Sequence, residues 1–133
     1  MANGFETYST DKLIRGEVRY SKNELMTVAN TVVYIEGTIL ARSTATLKLI
    51  PYVKGGSTAG NGVPKYVLAT GFTATASGDV KVNAIKWAGN EGLDFAQMVI
   101  QADTDNSNIT SIVLDELRVY NIQVETFSEQ SVV

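Results

Sequence analysis

Apolar residues recur at convincing helical spacing in one stretch of the chain only. Ile109, Ile112, Val113, Leu117 and Tyr120 form that stripe, with Asn108 placed to cap its start and Asn121 to stop it. Elsewhere β-branched residues dominate, either alternating with polar ones or gathered in short runs closed by Asn30 and Gly37, which is how strands read. The spacing therefore predicts a mostly β (α+β) fold, a small β-rich single domain with one late amphipathic helix. At 133 residues and 44% hydrophobic content there is material for one core, and a second would be hard to fit.

Strands are expected at "GEVRY", where Val18 and Tyr20 share a face opposite Glu17 and Arg19, and along "ELMTVANTVVYIEGTILAR". In "TATLKLIPYV", Leu47, Leu49 and Pro51 are placed on one face, and Pro51, which cannot donate to a ladder, ends the strand or puts it at an edge. "VPKYVLA", "FTATA" and "VKVNAIKW" follow, the last with Val80, Val82, Ala84 and Lys86 on one side after a turn at "SGD". "EGLDFAQMVIQAD" fits helix and strand equally. Between them, Lys54 to Gly62 holds four glycines in nine residues and reads as a mobile surface loop. A phosphate cradle would need a helix directly after it, and a strand follows instead.

Proton chemistry is thinly supplied. The chain has no histidine and no cysteine, which removes the side chain suited to proton transfer near neutral pH and all thiolate chemistry. Asp103, Asp105 and Ser107 sit at the first, third and fifth places of a calcium loop, but Asn108 stands where its glycine belongs and Leu114 where its bidentate glutamate belongs, so a polar turn is the better reading. Asp115 and Glu116, adjacent on the helix, point apart. No enzyme, no metal and no cofactor are expected. A net charge of -3 with scattered Lys and Arg argues against nucleic acid. No apolar run reaches membrane length, and no secretion signal opens the chain, so no membrane partner and synthesis in the cytoplasm are expected. Trp87 is read as packing at a strand edge, with a sugar platform shared with tyrosines as the alternative.

From Met1 to about Leu13 the chain is polar, lacks helical period and carries Phe5 and Tyr8. It reads either as a frayed terminus or as an arm that orders on a partner, with those two rings as anchors.

The stretch "TVANTVVYIEGTILARSTATLKLIPYV" resembles the phage lambda-like head decoration (head-stabilising, capsid cement) proteins. The elements that carry the likeness are Thr27 to Ala29, the "GT-x-L" strand Gly37 to Leu40, and Lys48 to Pro51, continued by Val63 to Ala69, Ser77 to Ile85 and the late helix Ile109 to Ile122. Asn30 and Ala41 stand where family members often have glycine. The resemblance implies a homotrimer on the outer surface of the virion, bound to the major capsid protein at three-fold positions. It also implies a flexible N-terminal capsid-binding arm, residues 1–15, ahead of a decoration domain, residues 16–133. In that arm Gly4, Phe5, Glu6, Thr7, Tyr8, Leu13, Ile14 and Arg15 would carry the binding. The competing reading is a β-rich ligand-binding module, carbohydrate-binding or adhesive.

Overall fold

The computed structural model describes residues 12–126. Its strands are β1 (Val18–Val28), β2 (Val33–Tyr34), β3 (Ile39–Arg42), β4 (Leu49–Pro51), β5 (Tyr66–Leu68), β6 (Phe72–Thr73), β7 (Gly78–Asp94) and β8 (Ile122–Glu125). A 3-10 turn (Phe95–Gln97) follows β7, and one helix, α1 (Ser111–Val119), precedes β8. Among the described residues the fold is thus mostly β with a single late helix.

Five strands close into a barrel-like ring. β1 runs antiparallel along β7 from Val18 opposite Ala88 to Val28 opposite Gly78, and parallel to β4 at Met26 opposite Leu49. β4 pairs with β3, β3 with β5, and β5 with β7, all antiparallel. β8 joins β7 in parallel outside the ring, and β2 and β6 make a separate short ladder.

Strands this long must coil to close, and two irregularities let them. Arg19 faces Trp87 while Tyr20 faces Ile85, so Lys86 is an extra residue on β7. Ser21 faces Ala84 while Glu24 faces Val82, and Asn23, in the left-handed region at φ 59°, donates its N–H to Asn83 Oδ1 at 3.3 Å. The bulge breaks the expected alternation: Val82 and Ala84 are buried, whereas Lys86 is exposed.

Consecutive residues of a strand point to opposite faces, and here both faces are buried. Leu40, Leu68 and Ala84 pack with Met26, Val28 and Leu49 in one cluster. Their neighbours Ile39, Val67 and Ile85 pack in the other, against Val113 and Leu117 of α1 and Ile122 and Val124 of β8. That is why "TIL" and "YVL" read as unbroken apolar runs.

Several local expectations shift. Leu47 is not on a strand face but lies in the turn between β3 and β4, at φ 64° and 69% exposed, where its N–H donates to Ser43 O at 2.8 Å. β4 ends at Pro51, as its missing donor requires. Thr110, not Asn108, stands at the N-cap position, with no capping bond from its side chain, while Asn121 at φ 68° follows the C-cap Tyr120 and stops the helix. Ile109, Val113 and Leu117 face the core, but Ile112 is 70% exposed. The stretch that fitted helix and strand equally is the end of β7, the 3-10 turn, and bridges from Val99 to Thr38 and from Ile100 to Asp105.

One polar group ties the ring together. Arg42 on β3 donates from Nη1 to Glu24 Oε1 at 2.9 Å and from Nη2 to Glu24 Oε2 at 3.2 Å, reaches Tyr66 Oη at 2.7 Å, and lies 4.9 Å above the Tyr66 ring. Bidentate charge-assisted bonds spanning β1, β3 and β5 make the guanidinium fork hard to replace. Arg42→Ala is expected to lower stability by about 2–3 kcal/mol, and Arg42→Lys to recover less than half, in urea titrations at pH 7. The same bonds hold the Glu24 carboxyl below its ordinary value of 4.5. The pair's contribution is therefore complete above that pH and is lost as pH falls through the depressed value; in Arg42→Ala that acid loss should shrink.

Candidate functional site

The segment expected to bind a partner begins in residues 1–11, and Gly4, Phe5, Glu6, Thr7 and Tyr8 lie outside the described residues. Leu13, Ile14 and Arg15 lie inside them, and the structure places all three in the body rather than in an arm. Leu13 is only 2% exposed and belongs to the cluster beneath α1. Ile14 makes an antiparallel bridge to Leu93, so the chain continues the line of β1 along the far end of β7. Asp94 N donates to Leu13 O at 2.8 Å, and the N–H groups of Arg15 and Gly16 converge on Gly92 O at 2.9 and 3.1 Å. A body taken to start at Gly16 omits three residues that are part of it.

Asp94 anchors this docking. Its side chain is fully buried, with Oδ1 accepting from Ala96 N at 3.0 Å and Oδ2 from Arg15 Nη2 at 3.0 Å. A carboxylate without water needs a counter-charge and occupied lone pairs, and Arg15 and the 3-10 turn supply both. Sequence reasoning passed over Asp94. Its signal was a single charge between Leu93 and Phe95, in a stretch otherwise apolar enough to be core. Arg15 also donates from Nε to Lys12 O at 3.2 Å, which orients the backbone just before the segment leaves the described region.

Glycines make the close approach feasible. A Cβ at Gly16 would collide with the Asn90 carbonyl, and one at Gly92 with the Gln123 carbonyl of β8. Both strands flanking the end of β7 thus sit closer than a side chain allows.

The other sites read from sequence are occupied by their own neighbours. Arg19 lies 5.1 Å over the Trp87 ring, Lys65 lies 5.1 Å over Tyr120, and Tyr34 packs on Phe72 at 5.3 Å between centroids. Asp105 Oδ1 accepts from Ser107 N at 2.9 Å and Ser107 Oγ at 2.7 Å, and these bonds hold its carboxyl below the ordinary range. Asp103 Oδ2 accepts from Asn108 Nδ2 at 3.0 Å. Both carboxylates thus brace the turn that leads to α1. The glycine loop is held by its own hydrogen bonds: Val53 N to Asn61 O at 2.8 Å, Gly56 N to Val53 O at 2.9 Å and Thr44 N to Ala59 O at 2.9 Å.

Set against known protein families, curated proteins and solved structures, the chain matches none of them.

Proposed function

We propose that this chain is a structural capsid decoration protein: a homotrimer that binds the outside of an expanded phage head at three-fold positions and stabilises it against the pressure of packaged DNA. The ordered series of motifs from Thr27 to Ile122 supports the reading from sequence. The observation that carries it is the fastening of Leu13, Ile14 and Arg15 along the end of β7. A segment that clamps a neighbouring subunit transmits force only if its base is fixed, and here a buried side chain, a strand bridge and an ion pair fix it. The segment ahead of that base, with Phe5 and Tyr8, adds main-chain hydrogen bonds and two aromatic anchors at the capsid surface. Binding the expanded shell and not the unexpanded one shifts the shell toward the expanded state, and repetition over many equivalent sites tolerates modest affinity at each.

The test separates arm from body. Deleting Ala2 to Asp11 should abolish co-sedimentation with expanded heads, leave the melting temperature within about 2 °C, and leave a trimer by light scattering. Retained co-sedimentation would remove the arm from the mechanism, and a monomer of the full chain would remove the three-fold assembly.

A further inference from the structure

A cavity of about 400 Å³ lies between the glycine loop and the start of α1. Its walls come from positions far apart in sequence: Tyr52 and Lys54 at the loop's entry, Gly62 at its exit, and Thr110, Ser111 and Glu116 around the helix.

Hydrogen-bond donors without acceptors gather there. Tyr52 is 1% exposed and lines the cavity, and its hydroxyl has no hydrogen-bond partner among the described residues. Thr110 Oγ1 is buried without a partner, and this N-cap side chain makes no capping bond. The amides of Ser111, Ile112 and Val113 consequently have no acceptor among the described residues, and the first turn carries no acidic residue. Buried donors left unmade are costly, and a helix start leaves its N–H groups and partial positive charge facing outward. Lys54 adds a full positive charge at the rim.

We infer that this cavity binds a carboxylate, held by the Tyr52 hydroxyl, the first amides of α1 and Lys54. Glu116 selects the charge state of the ligand: its carboxylate on the same wall disfavours a dianion and leaves a monoanion acceptable. Burial and that same carboxylate push the Tyr52 phenol up, which keeps it protonated and able to donate. The site is independent of the capsid reading and stands or falls without it.

Amide NMR on the full chain tests it, with sodium acetate and inorganic phosphate titrated against sodium chloride at matched ionic strength. Acetate should give saturable shifts of the Ser111, Ile112 and Val113 amides that chloride does not, with phosphate weaker. Glu116→Gln should raise phosphate affinity several-fold. Lys54→Ala should weaken acetate about tenfold, as loss of one charge-assisted contact does. Tyr52→Phe should weaken it about threefold while leaving the ligand-free melting temperature equal or higher, because the hydroxyl it removes has no partner to lose. A carboxylate can be a free organic acid or an acidic side chain of another protein. N-acetyl-aspartate amide, if it binds more tightly than acetate, identifies the second, and equal or weaker binding the first. Acetate shifts no different from chloride, or acetate affinity unchanged in both Lys54→Ala and Tyr52→Phe, would overturn the site.

Discussion

Replacing Arg15 with alanine is expected to lower the unfolding free energy by about 3–5 kcal/mol, one of the two largest losses from a single exchange in this chain. The magnitude follows from what remains behind. Asp94 is fully buried, and without the guanidinium at 3.0 Å its Oδ2 keeps neither counter-charge nor donor. Removing one partner of a buried pair costs far more than the pair contributes, because the survivor must be neutralised or hydrated where it stands. Asp94→Asn should be milder, since the amide oxygen can still accept from Ala96 N and the charge left behind is that of Arg15, whose side chain is partly exposed to water. The double variant Arg15→Ala/Asp94→Asn should therefore be more stable than Arg15→Ala alone. Urea unfolding of all four proteins closes the cycle. A loss below about 1 kcal/mol for Arg15→Ala would mean that water reaches Asp94 and that the base of the leading segment is not fixed as proposed. Under the proposed capsid role, Arg15→Ala should weaken attachment even where the protein remains folded, because the leading segment would then leave from an undocked strand.

What could be read from the sequence was local. Asn121 stops the helix because a polar residue there tolerates the left-handed backbone, and Pro51 ends β4 because it lacks a donor; neither depends on distant residues. The glycine loop was legible for the same reason. Pairings were not legible. β1 lies against β7, fifty or more positions away, and nothing within "GEVRY" or "VKVNAIKW" marks Lys86 as a bulge until the two are placed side by side. The bulge undid the alternation assigned to that strand. Leu13 and Ile14 looked like part of an arm because their polar neighbours outnumber them, and only the bridge to Leu93 shows where they are buried. The cavity beside Tyr52 illustrates the same limit. A strand and not a helix follows the glycine loop in sequence, yet a helix start does face that loop, supplied by Thr110 and Ser111. Adjacency in space, arranged by the ring, replaces adjacency in sequence.

Gly37→Ala is expected to destabilise the fold by about 4 kcal/mol or more, from backbone strain and collision together. Gly37 is buried at φ 95°, its N–H donates to Leu68 O at 2.9 Å, and its carbonyl accepts from Val99 N at 3.0 Å. A Cβ at that position would drive into the Gln97 carbonyl and come within 3.3 Å of Met98 Cα, both backbone and unable to swing aside. Relief requires parting Thr38 from Val99, and that bridge carries Met98 and Ile100 into the core beneath α1. Gly55→Ala is the control that divides the two causes. Its φ is 72° but a Cβ there meets nothing within 4 Å, so only the left-handed strain of about 1 kcal/mol should appear. If the two variants melt alike, the close approach at Gly37 is not what holds the segment after β7 in place. If they differ as expected, the Gly-Thr-x-Leu element is explained by packing alone. Gly37 admits a crossing backbone, the Thr38 hydroxyl donates to Ile35 O at 2.7 Å, and Ile39 and Leu40 send one side chain into each core. The element that most suggests a capsid protein from sequence would then act as the joint of the barrel, and contact with the shell would fall to the segment docked by Leu13 and Arg15.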